Sequence, residues 1–573
     1  LIFIDPDFFS ILRKNVNMSK QIRVFCENTE EHYTFPVGTS LLQMEEGLDT
    51  GLKYPALGAF VNNSLKELSY QIYKPKHICF IDCTYADGMR MIIRSLQFIL
   101  YKATRDLFPD MDFHVENPVS NGIYCTARSG RKILKPGDIA AIRSRMEELV
   151  KADIPFRREE ITTEEAIAIF ENSGLEEKTP LLQTRGNFYT SVYYLDDTPD
   201  YYYGYLVPST GYVKIFDLLP YYSGMLLRIP SRHHPMNLKP LIRQDKMLSI
   251  FAEFNRWQKI LGVNNIGDLN AAVHNGSISE LIKISEALHE KKVAMIADNI
   301  RKKRKSIRLI LISGPSSSGK TTFAKRLGIQ LKVAGIQPVK ISMDNYFVNR
   351  EHTPLDENGA YNFETIKAID IALFNRHILD LLSGNEVEIP RFNFLDGKRY
   401  FAGDRVKIRK KEVVIVEGIH ALNPELTSQI EDSAKYKIYV SALTTISIDG
   451  HNLIPTSDNR LARRIVRDNK FRGYPAANTI GRWPSVRDGE VENIFPFQEN
   501  ADVMFNSALL YELGVLKPFI TPLLEAITPN MPEFSEARRL LKFFSYFIPI
   551  STEEIPPTSL MKEFLGGSSF DYE

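Results

Sequence analysis

The sequence predicts an α/β protein whose C-terminal part is a parallel sheet covered by helices, preceded by a small β-grasp domain and a second α+β domain. Three observations predict it. The run Leu309, Ile310, Leu311, Ile312 has no polar alternation, as expected of a strand buried on both faces. It leads directly into Gly314-x-x-x-x-Gly319-Lys320-Thr321 and a helical stretch. The downstream runs QPVKISMD and EVVIVE each end on an acid, Asp344 and Glu417. Near the start, QIRVFCEN and HYTFPVG form a strand pair, followed by a helix and by AFVNNSLKELSYQI, the succession of a β-grasp unit.

At 573 residues the chain is too long for one core, and about two to four domains are expected. Hydrophobic residues make up 44% and charged residues 25%, the composition of a globular chain rather than a disordered one. A formal net charge of +1 gives no overall drive toward nucleic acid or membrane, so any such binding has to be local. Cys26, Cys79, Cys83 and Cys125 show no paired C-x-x-C spacing, which points to a reducing compartment. His77, Cys79 and Cys83 lack a second ligand pair, so buried thiols are expected there rather than a metal corner. No apolar run reaches membrane-spanning length, no membrane partner is expected, and a cytoplasmic location is. The apolar opening LIFIDPDFFSILRK is interrupted by Asp5, Pro6 and Asp7, and Met18 directly precedes the first strand; residues 1–17 are read as an N-terminal extension.

The expected organisation continues with the β-grasp domain over 18–84, the α+β domain over 85–235, a helical linker over 236–305, a phosphate-binding α/β domain over 306–510 and a helical tail over 511–573. The first of these resembles a TGS domain, the ubiquitin-like module at the front of threonyl-tRNA synthetases and some GTPases. The next, with GMRMIIRSLQFILYKATRDLFPD and NPVSNGIYC, resembles the second N-terminal domain of those synthetases. That domain's editing site uses a His-x-x-x-His pair and a later Cys-x-x-x-His. Setting LFP on the family's LFP puts Arg94 and Phe98 at the histidine positions, and YYSGMLLRIPSRHHP offers no cysteine, so editing is not expected to carry over. His233 and His234 are adjacent, face different ways on any regular element, and read as surface residues. The run YYLDDTPDYYYGYLV reads as tyrosine packing in a β-rich segment; stacking of bases on an exposed sheet face is the alternative, so RNA binding by this half stays open. In the linker, Leu281, Ile284, Leu288, Ala294 and Ile300 keep helical spacing, and Arg301 to Lys305 would offset the dipole at the helix end.

The chemistry concentrates after Ser306. A polyphosphate needs several backbone N–H groups turned toward it, which glycines at the turns allow. The loop Gly314, Pro315, Ser316, Ser317, Ser318, Gly319 supplies them, and the following helix adds its positive end. Lys320 would reach the β and γ phosphates, the Thr321 hydroxyl would hold Mg²⁺, and Thr322 completes the cradle. Asp344 is the candidate for accepting a proton from an attacking hydroxyl, against the plainer reading of a turn cap with Asn345. Glu417 follows four apolar residues and is the candidate Mg²⁺ acid. In SDNRLARRIVRDNKFRG, Arg460, Arg463, Arg464 and Arg467 fall at helical spacing, with Arg472 beyond. They either neutralise a transferring phosphoryl group or pair with Asp458 and Asp468 on a solvated helix. The tail (ELGVLKPFITPLLEAI, then SEARRLLKFFSYF) reads as helical, without chemistry.

GPSSSGKTT, DNYF, YNFE, IPRFNF, VVIVEGIHAL and RLARRIVRD occur in the order and approximate spacing of the uridine kinase and phosphoribulokinase family of P-loop kinases, which Ser306 to Leu510 resembles. The resemblance implies an ATP- and Mg²⁺-dependent kinase acting on a nucleoside, with Asp344 as catalytic acid–base group and Glu417 on the metal. It implies Arg464, Arg467 and Arg472 as lid arginines, and Tyr346, Glu364, Phe392 and Phe394 on the acceptor; Glu364 replaces the family's ribose-binding Asp. Two positions depart: Gly397 stands where the nucleoside kinases place a base-reading His, and Tyr474 replaces a further lid arginine. The expectation is transfer of the γ-phosphoryl to the 5′-hydroxyl of uridine or cytidine, as in pyrimidine salvage. Another sugar-like hydroxyl is the alternative, or, from a different class, an RNA-binding, translation-linked protein whose nucleotide site is regulatory. An oligomer is compatible with either.

Overall fold

The computed structural model describes residues 20–355, 359, 361–393, 396–409 and 411–572, and the chain divides into two compact units. The extension 1–17 and Phe394 lie outside the described residues.

One unit comprises the described residues up to Ile242 together with Gly450–Asn452 and Ile527–Phe543. It opens with a five-stranded sheet of β1 (Gln21–Cys26), β2 (Glu31–Pro36), β3 (Gly58–Val61), β4 (Ser64–Glu67) and β5 (Lys76–Ile81), in the order β2-β1-β5-β3-β4. The central pair β1/β5 is parallel and the others are antiparallel, the arrangement expected of a β-grasp unit. Ile22, Val24 and Cys26 alternate inward on β1 and pack with Leu41 and Met44 of the short helix α1 (Leu41–Glu45). Ser40 and Gln43 cap α1 reciprocally.

The same unit continues through α2 (Ala86–Leu107) and the antiparallel strands β6 (Asp112–Val119), β7 (Gly122–Ser129), β8 (Asp217–Tyr221) and β9 (Gly224–Arg228), ordered β6-β7-β9-β8. Arg94 of α2 is buried, its guanidinium 4.7 Å from the Tyr203 ring centre and donating to the Tyr205 carbonyl at 3.4 Å. Phe98 is fully buried, 5.4 Å from the Tyr202 ring. Tyr193, Tyr201, Tyr202 and Tyr203 are all buried, as tyrosine packing requires, and His233 and His234 are exposed. Gly450–Asn452 joins this unit through a buried knot in which Asp200 meets Lys178 at 3.0 Å and His451 at 2.8 Å.

The other unit begins with three helices, α3 (Asp245–Leu261), α4 (Ile266–His274) and α5 (Ile278–Lys302). Its centre is a five-stranded, wholly parallel sheet of β10 (Leu309–Ser313), β11 (Gln337–Ser342), β12 (Glu412–Glu417), β13 (Lys435–Ser441) and β14 (Val503–Asn506), in the order β11-β12-β10-β13-β14. The lack of polar alternation in β10 is now explained. Leu309 and Leu311 enter a core with Phe374 and Ile378 on one face, while Ile310 and Ile312 enter a core with Phe323 and Leu327 on the other. Because the pleat sends successive side chains to opposite faces, both sets have to be apolar.

Two expectations need correcting here. The strand QPVKIS ends at Ser342, and Asp344 sits two residues beyond it in a 3-10 turn over Met343–Tyr346. On α5, Leu281 and Ile300 are buried as expected, but Ile284, Leu288 and Ala294 are only half-buried. The inward seam is Ile282, Ser285, Glu286, His289, Val293, Ile296 and Ala297, and its C-terminal end packs into the core beneath β10. The arginine-bearing segment is α6 (Thr456–Arg472), and it is not a solvated helix: Arg460 and Arg463 are fully buried.

Candidate active site

The loop between β10 and the helix α7 (Lys320–Val333) is shaped by local and distant constraints. Gly319 has φ +80° and Ser317 φ +57°, the left-handed conformations that turn a nest of N–H groups to one side. A Cβ on Gly314 would lie 1.9 Å from the Val440 carbonyl oxygen of β13, so only glycine fits there. The carbonyls of the loop are drawn outward. Ser316 O accepts from Arg460 Nη1 at 3.1 Å, Ser317 O from Arg463 Nη1 at 3.4 Å, and Ser318 O from the Ser507 hydroxyl at 2.6 Å. A peptide whose C=O is held outward presents the N–H that follows it to the opposite side. The Ser317 and Ser318 hydroxyls are buried without a protein partner among the described residues, so the cradle retains donors for an oxygen-rich ligand.

Arg460 and Arg463 are each paired with a carboxylate in the interior. Arg460 meets Glu490 of the helix α8 (Ala476–Asn493), through Nη1 and, at 2.7 Å, through Nη2; Arg463 meets Glu512. Glu490 also accepts from the Ser316 N–H at 3.2 Å.

The register of β12 places Glu417 beside both Ile312 of β10 and Ser342 of β11, at the C-terminal ends of the strands. There the Thr321 hydroxyl donates to Glu417 Oε1 at 3.3 Å, and half-buried Lys320 donates to the Pro315 carbonyl at 3.1 Å. Burial pushes Glu417 up to about 7, with the nearby Asp344 charge adding to it and Lys320 opposing. Asp344 is reachable by water, yet desolvation by the protein around it pushes its carboxyl above the ordinary value against the pull of Lys320 and Arg472. Burial pushes Lys320 down, opposed by Glu417, Asp344 and Glu563. Lys320, Thr321, Asp344 and Glu417 thus share one edge of one sheet.

Glu364 belongs to the same field. Burial and then Glu490 push it up to about 7, against Arg464 and Lys320. Gly489 leaves room for it, since a Cβ there would come 2.4 Å from Glu364 Cβ. Arg464 donates to the Ser316 hydroxyl at 3.1 Å. Arg464, Arg467 and Arg472 all meet the buried Asp468, at 3.3, 2.8 and 3.3 Å. Tyr346 is buried, its hydroxyl 3.2 Å from His377 Nδ1, and Phe392 is buried with its ring 5.5 Å from that of Phe347. Gly397 has φ +67°, and a Cβ there would lie 2.6 Å from Arg350 Nε, so this turn has no room for a larger side chain.

Residues 309–510 match the model of the Phosphoribulokinase / Uridine kinase family. The N-terminal half is similar to curated threonine–tRNA ligases. That of Methylobacillus flagellatus is 32% identical over 194 residues, 34% of this chain and 30% of its own length; that of Bordetella petrii is 31% identical over 191 residues, 32% and 29%. The chain therefore spans only about 30% of the length of the curated relatives it matches. A solved chain titled "Structure of a Possible Uridine Kinase from Bacillus stearothermophilus" is 18% identical with a TM-score of 0.25, covering 37% of this chain and 97% of that one, a score too low to add to the assignment.

Four functional positions escape sequence reasoning: the roles of Arg460 and Arg463 as holders of loop carbonyls, Glu490 on Ser316, and Glu563 beside Lys320. The arginine spacing was a signal for the first two. Glu490 and Glu563 carry none.

Proposed function

We propose that this protein transfers the γ-phosphoryl group of ATP to an alcohol, the 5′-hydroxyl of uridine, cytidine or a related nucleoside. The observation that carries this reading is the convergence of Lys320, Thr321, Asp344 and Glu417 at one strand edge beside a left-handed glycine turn. The Thr321 hydroxyl and Glu417 carboxylate form a hard-oxygen pair suited to Mg²⁺, which when bound neutralises phosphate charge. Asp344 takes the proton as the acceptor oxygen forms its bond to the γ-phosphorus and the bond from that phosphorus to the β-bridging oxygen breaks, leaving ADP. Lys320 and the lid arginines offset charge on the transferring group, and Glu364 holds the acceptor's hydroxyls.

A second reading, phosphorylation of another sugar-like hydroxyl, is favoured by Gly397, where Arg350 takes the space a base-reading imidazole would need. Release of ADP measured against a panel of nucleosides and sugars decides between them. Pyrimidine nucleosides alone as acceptors support the first reading. A sugar or other polyol as sole acceptor supports the second, and ATP turnover indifferent to every acceptor removes both.

A further inference from the structure

The last segment of the chain, beyond the match to the kinase family, lies against the phosphate cradle. The Thr322 N–H, in the first turn of α7, donates to Glu563 Oε2 at 3.2 Å, and the Thr322 hydroxyl meets both that carboxylate and, at 2.7 Å, the Tyr572 hydroxyl. Leu560 covers the glycine of the loop, since a Cβ on Gly319 would lie 2.2 Å from Leu560 Cδ2. Lysines from two sides fasten the segment: Lys325 of α7 donates to the Asp571 carbonyl and Lys470 of α6 to the Leu565 carbonyl. Leu560 and Phe564 are anchored in the core that also holds Ile310 and Phe323.

We propose that this C-terminal segment gates the nucleotide site, with the Glu563 carboxylate standing in for a nucleotide phosphate on Thr322. The inference rests on the kinase reading of the site and concerns its regulation. The open N–H groups and positive dipole of a helix N-terminus favour an anion, and a carboxylate with two acceptor oxygens meets that demand as a phosphate does. Two anions cannot share one N–H donor at this distance, so a phosphate on Thr322 requires Glu563 to leave. The affinity observed for ATP is then the intrinsic affinity reduced by the fraction of molecules in which Glu563 has swung away. The segment's apolar anchors let it stay attached while this happens. Gly566 and Gly567, at φ +81° and +72°, lie between Glu563 and Tyr572, at a point where the chain changes direction without strain.

The test compares ATP dissociation constants for the full-length wild type, Glu563→Gln and Lys320→Ala. Hydrogen exchange in Ser559–Tyr572 is followed with and without saturating ATP. Glu563→Gln keeps the shape but removes the charge that competes, and is expected to bind ATP about tenfold more tightly, ~1.4 kcal/mol. In the wild type, exchange in the segment is expected to rise when ATP binds, a readout that stands even if the variant folds poorly. Unchanged affinity in Glu563→Gln together with unchanged exchange, while Lys320→Ala still loses ATP, overturns the gate and leaves the kinase reading intact. A lower Tm at unaltered affinity does the same, because Glu563 would then be only a helix cap. Absence of ATP binding in wild type and Glu563→Gln alike overturns both readings.

Discussion

Asp344→Asn tests the proposed chemistry most directly, because it changes one proton-accepting atom and almost no volume. Asp344 stands beyond the end of β11, within the electrostatic reach of Lys320 and Arg472, and no described hydrogen bond of the loop passes through it. The cradle for phosphate should therefore survive the change. Loss of a positioned general base costs about 10²–10⁴-fold in rate. We expect kcat to fall about 10³-fold, ~4 kcal/mol of barrier, with KM for ATP changed less than about threefold, since Lys320 and Thr321 are untouched. The pH profile adds a second readout. Enclosure raises the folded pKa above the ordinary 3.8, so activity needs pH above that raised value and should decline tenfold per unit below it; the Asn enzyme should lose that limb. The sign for stability runs the other way. A carboxyl with a raised folded pKa binds its proton more tightly in the folded protein, so its ionisation opposes folding as pH rises through that value. Asp344→Asn should accordingly keep or raise Tm near neutrality, which separates lost chemistry from lost structure. A kcat within tenfold of wild type in nucleoside-dependent ADP release would show that Asp344 is not the base.

Three further outcomes follow from the same geometry. Arg460→Ala leaves Glu490 buried with Arg487, at 2.7 Å, and the Ser316 N–H, at 3.2 Å, as its described partners, and frees the Ser316 carbonyl; urea unfolding should show a loss of about 3 kcal/mol, and the double variant with Glu490→Ala should lose less than the sum of the singles. Gly397→Ala forces a side chain into φ +67° and against Arg350, and should cost about 1–2 kcal/mol in the same assay. Glu417 must be ionised to hold a cation, and its pKa of about 7 means that the Mg²⁺ concentration for half-maximal activity should climb as pH drops through neutrality, a dependence that Glu417→Gln should flatten.

How much of this was readable beforehand depends on the range of each interaction. The cradle was legible because its parts are contiguous: the apolar strand, the glycine spacing and the lysine all lie within a dozen or so residues, and local sterics dictate the turn. The parallel sheet was legible because both faces of β10 had to be apolar. The seam of α5 was misread for a specific reason. Two of its inward positions are Glu286 and His289, which a hydrophobic periodicity skips. Each is satisfied by a distant group, the Tyr511 hydroxyl at 2.6 Å from Glu286 and the Ala508 carbonyl at 3.2 Å from His289. Burial, with the Arg326 and Arg463 guanidiniums adding to it, pushes His289 down to about 3 and keeps it neutral, which is why an imidazole is tolerated there. Glu490 and Glu563 were illegible for the same reason of range: they reach Ser316 and Thr322 from 174 and 241 residues away, and neither sits in a pattern.

The charges of the site also explain how so many cations can gather at one strand edge without a bound phosphate. Arg464, Arg467 and Arg472 converge on Asp468, and the first turn of α7 is met by Glu563. A buried guanidinium left without an anion costs several kcal/mol and an open helix end about 0.3–1 kcal/mol, and the protein supplies a carboxylate to each, Asp468 to the arginines and Glu563 to the first turn of α7. On the proposed reading those internal partners set the affinity from below: a nucleotide would gain only the difference between its phosphates and the carboxylates it replaces. The two ends differ in how they yield. Asp468 lies on the same helix as its arginines and can remain paired to one of them while the others turn to a ligand, whereas Glu563 holds an N–H that only one anion can use at a time. Release at Asp468 can therefore be gradual, and release at Thr322 has to be a discrete step.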